Sequence, residues 1–372
     1  LNSNMKNLII SDGLPSEENA GPILLNQIYN SLSVCNKTII YSTRANGEDS
    51  EDYYSKNLRP FRENKLIYKF TSFIPLFFEL FMVIRLFQIN DFLKKKIKDK
   101  QYKCLVILRG DAIFITYLLN LIGIKYSIYI PDGIEAENDD KYLVNKFKTK
   151  FYYIALKNSI AIGVTNSLAK KKIQDIVQNK SFYILRPFFN KFNFSKNKKI
   201  KIVFSGSLYA SESLIAFAES LNLFNDLIDF EFITISKKNI LINTNLNYSH
   251  KHYEWMNQNE LNTILKTCDI GYLPYSFSAK KKDNMIMGFP GKLGLYCSHN
   301  LKIFAHCPKY SSLHNEINNS PIGLSCSSLD HQVIKSSFLQ IVEMQINESD
   351  YNKFYSENLS KEYFVKNLFK LI

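Results

Sequence analysis

Short apolar runs alternate with longer amphipathic stretches along the first half of the chain. Runs such as Thr38–Ser42 (TIIYS) and Tyr126–Ile130 (YSIYI) have the length of strands, and the stretches between them place apolar residues at helical spacing. A strand–helix alternation of this kind is typical of βαβ units, which form parallel sheets. We therefore predict strands at 7–11, 38–42, 104–108, 126–130, 160–165 and 182–185, and helices at 23–32, 112–122, 142–156 and 167–178.

A second strand–helix series begins after a polar segment rich in Lys, Asn and Ser that ends at Lys199. A chain of 372 residues is long for one hydrophobic core, which favours two domains of about 180 residues each. We place the first domain at 5–190 and the second at 191–355, followed by a terminal helix at 356–372. In the second domain we predict strands at 200–204, 230–236, 252–256, 269–273 and 302–305, and a helix at 211–221.

The segment 289–296 (FPGKLGLY), between the last two of these strands, carries the clearest chemical signal. A Gly-containing turn that opens a helix presents free backbone N–H groups and the positive end of the helix dipole, which together bind anions. Lys292 would add a point charge for a diphosphate; a solvated lysine at a helix start is the alternative. Gly206, between two serines at another strand-to-helix turn, either lets backbone amides approach the diphosphate or makes an ordinary turn.

Together with 269–275 (DIGYLPY) and 301–305 (LKIFA), this motif resembles the donor-binding half of group 1 GT-B glycosyltransferases, the type of glycogen synthase and of capsule and lipopolysaccharide synthesis. The resemblance implies an α/β fold of two Rossmann-like doubly wound domains facing across a cleft. In that fold the first domain binds the acceptor, the second binds the nucleotide sugar, and a terminal helix crosses back to the first domain. The donor site that the resemblance implies consists of Gly206, Ser207, Tyr253, Met256, Pro274, Tyr275, Gly291, Lys292 and Leu293.

The chain departs from the family pattern at several donor positions. Family members carry acidic residues where this chain has Met287 and Leu295, and an Arg and Lys pair after the glycine of the first turn is missing. Either another carboxylate, such as Glu254 or Asp283, binds the donor ribose, or the donor is unusual, or catalysis has been lost. For Trp255, the single Trp of the chain, we expect a side chain that is buried as a core anchor.

Catalytic candidates come from the first half, because residues at the carboxyl ends of parallel strands face the crevice where ligands bind. All six histidines lie in the second half, which leaves carboxylates as the candidate bases of the first domain. We predict Asp132 as the catalytic carboxylate, Glu17 or Glu18 as the second choice, and Arg109 as the residue that holds an acceptor phosphate or orients Asp132. A turn-forming Asp before Gly and a surface ion pair are the alternatives for Asp132 and Arg109.

Composition narrows the class of partner. The net charge of +13 favours anionic partners, and no zinc-finger, RRM or helix-turn-helix signature accompanies the lysines, which argues against nucleic acid. There is no D-x-D sequence and no His, Cys and carboxylate pattern with metal spacing, so we expect a metal-independent enzyme without a cofactor. Six cysteines without a C-x-x-C pair and no visible signal peptide favour the reducing cytoplasm.

The segment 67–89 is intensely apolar but is interrupted by Lys69, Glu79 and Arg85. These charges argue against a membrane span, which needs about 20 largely uncharged residues. With the lysines at 94–96 that follow, the segment fits an interfacial helix on an anionic membrane surface. A helix packed against the sheet of the first domain is the alternative.

The combined patterns predict a hexosyltransferase that moves a sugar from a nucleotide-sugar donor to a glycan or lipid-linked acceptor. Its setting would be bacterial surface polysaccharide synthesis, in the cytoplasm and peripherally on the inner membrane face. The alternatives are a non-catalytic GT-B subunit that partners or chaperones a glycosylation complex, and a nucleotide-sugar epimerase of the same double-Rossmann design. The sequence leaves the donor sugar, the nucleotide, the acceptor and the stereochemical outcome open.

Overall fold

A computed structural model describes residues 6–15, 20–43, 53–55, 89, 93–94, 102–134, 142–191, 199–224 and 228–372. The chain divides into two compact units. The first comprises Leu1–Leu185 with Val365–Ile372, and the second comprises Arg186–Phe364. The unit boundary thus lies shortly before the predicted domain boundary at 190/191.

The first unit is built on a parallel sheet, as the strand–helix alternation predicts. The described strands run in the order β3-β2-β1-β4-β5-β6-β7, and each of their pairings is parallel. Central strands such as β5 are buried along their whole length, which is typical of a parallel sheet covered on both faces. The strands are β1 (Lys6–Ser11), β2 (Thr38–Ser42), β3 (Tyr53–Ser55), β4 (Tyr102–Ile107), β5 (Tyr126–Ile130), β6 (Ala161–Val164) and β7 (Ser181–Ile184). The described helices are α1 (Ala20–Ser33), α2 (Ala112–Leu121), α3 (Tyr142–Asn158) and α4 (Ser167–Gln174).

The second unit repeats this design with strands in the order β10-β9-β8-β11-β12-β13, again parallel throughout the described pairings. Its core has two clusters, one of which is rich in aromatic rings that pack around the stacked pair Phe217 and Tyr272. The strands are β8 (Ile200–Ser205), β9 (Phe230–Ile235), β10 (Ser249–Tyr253), β11 (Ile270–Pro274), β12 (Lys302–His306) and β13 (Gly323–Cys326). The helices are α5 (Ser211–Leu221), α6 (Gln258–Leu265), α7 (Lys282–Met287), α8 (Gly291–Ser298), α9 (Ser312–Asn318), α10 (His331–Glu343) and α11 (Glu348–Asn358), with 3₁₀ turns at Asn222–Phe224 and Ala279–Lys281. Helix α12 (Lys361–Leu371) begins in the second unit and ends in the first.

Two short strands were not predicted, and the predicted bounds of a third are shifted by three residues toward the C-terminus. The unpredicted strands, β3 and β13, lie at sheet edges, where the strand is short and its pattern of apolar residues is weak. The prediction at 252–256 is wrong, because the strand is β10 (Ser249–Tyr253). The aromatic residues after Tyr253 suggested a strand, but β10 is another edge strand and its polar residues form the ladder with β9.

The single terminal helix predicted at 356–372 is in fact the end of α11 followed by α12. The break lies at Leu359 and Ser360, where the Ser360 hydroxyl accepts a hydrogen bond from the Tyr363 amide at 3.1 Å and so caps α12. At the other end of α12, the Leu371 carbonyl accepts a hydrogen bond from Ser127 Oγ on β5 at 2.5 Å. The last turn of the chain is therefore fixed to the sheet of the first unit.

Within the described ranges, no helix combines the length and the apolar content needed to cross a bilayer. The apolar segment predicted to be interfacial lies outside the described residues, apart from Ile89.

Candidate active site

The candidate site at the carboxyl edge of the second sheet includes the turn after β8. Gly206 follows the strand with φ at +141°, a backbone conformation that favours glycine, and its amide donates to Ile235 O at 2.9 Å. A Cβ placed on Gly206 would lie 3.3 Å from Lys292 Cε. The turn and the lysine thus lie against each other, as the two predicted motif positions require.

Helix α8 presents free amides at its first turn. Pro290 precedes the helix and provides no side-chain cap, and the amides of Gly291 and Lys292 have no hydrogen-bond partner among the described residues. The Leu293 amide donates to Pro290 O at 2.8 Å, and its side chain is fully buried in the core. Gly291 and Lys292 therefore have donors available for an anion, whereas Leu293 fixes the turn.

Lys292 is half-buried and forms no hydrogen bond or ion pair with any described residue. Burial lowers the pKa of its ammonium group. Its Nζ lies 5.7 Å from the centroid of the Trp255 ring, a cation–π distance. A partly desolvated cation without a carboxylate partner is costly, and a bound anion would offset that cost.

Trp255 is not the buried core anchor that we predicted. Its side chain is 52% exposed and faces Lys292. Because the chain leaves β10 at Tyr253, Trp255 lies in the loop after the strand rather than in the sheet. Sequence analysis missed its place beside the lysine, and no local signal could have shown it.

The other predicted donor residues differ in how deeply they are buried. Ser207 is exposed, the Tyr253 side chain is 39% exposed, and Met256 is half-buried against the core. Pro274 and Tyr275 are buried, and their carbonyl oxygens accept hydrogen bonds from Tyr209 Oη at 3.1 Å and Ser213 Oγ at 2.8 Å. The two latter residues therefore contribute to the turn structure of the site.

Helix α8 is held in place by aromatic and glycine contacts that sequence analysis did not predict. Tyr296 is fully buried, and its Oη accepts a hydrogen bond from the Ser205 amide at 2.9 Å. Its ring lies so close to Gly271 that a Cβ there would be 2.3 Å from Tyr296 Cδ2. A Cβ on Gly294 would be 2.5 Å from the ring of Phe189. Both glycines therefore let a ring pack directly on backbone.

Arg186 supports the residues before α8. It is almost fully buried, forms an ion pair with Glu316 at 2.6 Å, and donates to Asn358 Oδ1 at 2.8 Å. Its guanidinium carbon lies 4.6 Å from the centroid of the Phe289 ring. Arg186 is held by its ion pair and its hydrogen bond, and its guanidinium stacks on the Phe289 ring. These contacts fix the position of Phe289, and so of the Pro290-Gly291 turn.

His306, at the carboxyl end of β12, is a structural residue. Burial lowers the pKa of its imidazole to about 4, so the ring is neutral near pH 7. Both ring nitrogens are engaged, Nδ1 with Tyr272 Oη at 2.9 Å and Nε2 with Ser328 O at 2.6 Å. The residue therefore has no nitrogen free for proton transfer.

The carboxyl edge of the first sheet brings together residues that follow three neighbouring strands. Asp12 follows β1, Arg109 follows β4 and Asp132 follows β5. Arg109 Nη1 lies 4.0 Å from Asp132 Oδ2, and both side chains are partly exposed, 45% and 39%. Asp12 lies against Gly110, which has φ at +54°, so that a Cβ there would meet the Asp12 carboxylate.

The surroundings of Asp132 shift the pKa of its carboxyl group in both directions. Desolvation raises the pKa of its carboxyl group, the Arg109 charge opposes the rise, and the Asp12 charge adds to it. Glu17 and Glu18, the other predicted carboxylates, lie outside the described residues. The described residues also contain no group of three or more His, Cys, Asp or Glu side chains placed to hold a metal ion.

Solved structures resemble this chain over its whole length. A glycosyltransferase from Rickettsia africae gives a TM-score of 0.69 at 12% identity, covering 100% of this chain and 98% of its own. The lipopolysaccharide outer core galactosyltransferase WaaB in its apo form gives 0.68 at 11% identity and 99% of both chains. The α,α-trehalose-phosphate synthase (UDP-forming) from Burkholderia xenovorans gives 0.62 at 11% identity, with 99% and 100% covered. The chain has the GT-B fold.

No protein-family profile matches the sequence, and no curated protein matches it either. At 11–12% identity these structures show that the chain shares their fold. The fold prediction is confirmed, including the parallel sheets that carry the site.

The two positions at which the resemblance predicts acidic residues carry buried apolar side chains. Met287 and Leu295 are 1% and 4% exposed, so both side chains belong to the core. Of the two carboxylates that we considered instead, Glu254 is exposed on the loop beside Trp255, and Asp283 is buried in the first turn of α7. Glu254 is thus the one that a ligand could reach directly.

Proposed function

We propose that this chain is a metal-independent glycosyltransferase that transfers a hexose from a nucleotide-sugar donor to a hydroxyl of a glycan or lipid-linked acceptor. The observation that carries the proposal is Lys292, a half-buried ammonium without a carboxylate partner among the described residues, at the open first turn of α8 and against Gly206. A diphosphate satisfies all of these groups at once. The GT-B fold supports the proposal by making such a donor the expected ligand.

In this proposal the second unit stabilises the leaving group. As the bond between the anomeric carbon and the diphosphate oxygen breaks, negative charge collects on the diphosphate. This charge is stabilised by the ammonium group of Lys292 and by the amides of Gly291 and Lys292. The helix dipole of α8 stabilises it in the same way. This arrangement needs no metal ion to neutralise the leaving group.

The first unit supplies the base. Asp132 takes the proton of the acceptor hydroxyl while the hydroxyl oxygen forms the new bond to the anomeric carbon. Arg109 favours the ionised form of Asp132, which a base requires, and burial raises the pKa of the Asp132 carboxyl from its ordinary value. In this proposal Arg109 thus orients Asp132 and favours its ionised form.

The acceptor class and cellular setting are further parts of the proposal. Surface glycan synthesis fits the fold, since the neighbours include enzymes of lipopolysaccharide synthesis. The net charge of +13 suits an anionic acceptor lipid at the inner membrane face. Cosedimentation with vesicles that contain phosphatidylglycerol, compared with neutral phosphatidylcholine vesicles, tests this setting, and equal binding to both would contradict it.

The activity is tested by measuring release of nucleoside diphosphate from a panel of nucleotide hexoses, with simple glycosides and polyprenyl-phosphate sugars as acceptors. We expect acceptor-dependent release with one nucleotide, also in the presence of EDTA, and its loss in Lys292→Ala. Release that requires a divalent cation would contradict metal independence. No release with any donor would favour the alternative below.

The second candidate function is a non-catalytic GT-B subunit of a glycosylation complex. The buried Met287 and Leu295, in place of two acids, are the observation that favours it. This candidate predicts a folded protein that binds a nucleotide weakly or not at all and copurifies with an active glycosyltransferase. Turnover by the purified chain would remove it.

A further inference from the structure

Lysines are distributed unevenly over the second unit. Two lysines away from the carboxyl edge are engaged: Lys199, just before β8, pairs with Asp229 at 2.8 Å, and Lys251, in the middle of β10, pairs with Glu231 at 2.8 Å. Those on the loops at the carboxyl edge form no ion pair within the described part of the chain. These unpaired lysines are Lys237, Lys238, Lys280, Lys281, Lys282, Lys292 and Lys309.

Three of them, Lys280, Lys281 and Lys282, form one lysine run that is fixed to the loops on both sides of β11. Lys281 Nζ donates to the carbonyl of Tyr209, in the loop after β8. Lys282 Nζ lies 5.2 Å from the ring centroid of Tyr310, in the loop after β12. Lys281 and Lys282 are therefore held against neighbouring loops, whereas Lys280 is exposed.

The lysine run lies next to the proposed diphosphate site. Lys281 contacts Tyr209 at one end of the turn 206–209, and Lys292 contacts Gly206 at its other end. Three residues span at most about 11 Å, so the residues that the two lysines contact, Gly206 and Tyr209, lie within about that distance of each other. Tyr209 is fixed there by its own hydrogen bond to Pro274 O.

The nearby carboxylate of Glu212 is used to build the loop. Its Oε1 accepts hydrogen bonds from Ser276 Oγ and from the Phe277 amide at 3.2 Å, just before the lysine run. Ser276 in turn accepts from the Ser278 amide at 3.2 Å. Glu212 thus holds the loop that carries the run, and its bonds go to these neutral groups.

We propose that the lysine run is a second anion site, which binds a phosphate or carboxylate carried by the sugar substrate in addition to the donor diphosphate. The inference rests on the proposed function. It assigns the substrate to acidic or phosphorylated sugars, because Lys292 and the first turn of α8 already match the diphosphate and the run adds further cations beside them. The group could be on the transferred sugar or on the acceptor, and both have the same chemistry.

The test compares anionic and neutral probes. Binding of a nucleoside diphosphate hexuronate is compared with that of the corresponding hexose, and binding of glucose 6-phosphate with that of glucose, by calorimetry at low and high salt. The variant is Lys280→Gln with Lys282→Gln, which leaves the Lys281 contact to Tyr209 intact. The control removes two charges elsewhere in the unit, by Lys335→Gln with Lys353→Gln.

We expect at least one anionic probe to bind about tenfold more tightly than its neutral counterpart, and the double variant to lose that advantage while the control keeps it. Tighter binding of the hexuronate would place the anionic group on the donor sugar, and tighter binding of glucose 6-phosphate would place it on the acceptor. Equal affinity for anionic and neutral probes, or equal loss in variant and control, would overturn the proposal. Binding of glucose 6-phosphate through the run without binding of any nucleotide would support the anion site and contradict the proposed donor function.

Discussion

At the carboxyl edge of the first sheet, two carboxylates, Asp12 and Asp132, lie near one guanidinium, that of Arg109. At the carboxyl edge of the second sheet, Lys292 and the lysine run have no carboxylate partner among the described residues. Both edges are built by the same strand–helix alternation, so the difference comes from the residues placed after each strand. It separates two tasks, since a carboxylate with a raised pKa suits proton transfer and unpaired cations suit a diphosphate.

The largest effect should come from removing the base at the first edge. Asp132→Asn keeps the shape of the side chain but cannot accept the acceptor proton, and we expect transfer to fall by about 10²- to 10⁴-fold. Nucleotide binding, a property of the second edge, should be unchanged. Steady-state rates and calorimetry measure the two, with the exposed Asp175→Asn as the control. Equal loss of nucleotide affinity and rate would show that the two edges do not divide the tasks.

The second prediction concerns the packing of α8. In Gly271→Ala the new Cβ would collide with the ring of Tyr296, whose Oη receives the Ser205 hydrogen bond beside Gly206. We expect a loss of about 1–3 kcal/mol in the free energy of unfolding and weaker nucleotide binding. Denaturant titration measures the free energy of unfolding. Gly13→Ala is the control, because a Cβ at Gly13 meets no described atom. Full stability with unchanged nucleotide binding would contradict the packing argument.

The third prediction is that Lys292 makes the protein less stable in the absence of ligand. Lys292→Met removes the partly buried charge at similar volume, so the free energy of unfolding at pH 7 should rise, by less than the Gly271 effect. The folded-state pKa of Lys292 is lowered, so the unfolded chain binds the proton more tightly and the cost is fully present below the folded pKa. The difference between variant and wild type should therefore shrink as pH rises toward the ordinary lysine pKa. A variant that is less stable at pH 7 would contradict this.

The smallest effects concern the pH dependence at the first edge. Arg109→Gln removes a charge that lowers the pKa of Asp132, so the acidic limb of kcat/KM should move to higher pH. Asp12→Asn removes a charge that raises this pKa and should move the limb to lower pH. Both shifts should be small, because the Arg109 and Asp132 side chains are partly exposed and solvent screens them. Shifts in the same direction would rule out Asp132 as the titrating base.

Local sequence patterns predicted the parts of the molecule that depend on local physics. The bounds of α5 and β5 and the start of α8 follow from apolar spacing and from the Pro-Gly turn. The contacts of Lys292 with Gly206 and Trp255 join segments far apart in the chain, so their spacing could not show them. The break before α12 did have a local signal, since Ser360 is followed by charged residues in the first turn of a helix.

The most direct measurement is titration of UDP, GDP, ADP, dTDP and CMP into the protein while following its tryptophan fluorescence. Trp255 is the single Trp of the chain and its ring faces Lys292 at 5.7 Å, so the signal reports on the proposed donor site itself. We expect one nucleotide to change the emission saturably in the wild type and in Lys335→Met, whose lysine also lies over a ring, that of Phe224. In Lys292→Met its affinity should fall at least thirtyfold, as for loss of a desolvated charge pair costing about 2 kcal/mol or more. Saturable binding that is equal in wild type and Lys292→Met would contradict the central claim that Lys292 holds the donor diphosphate.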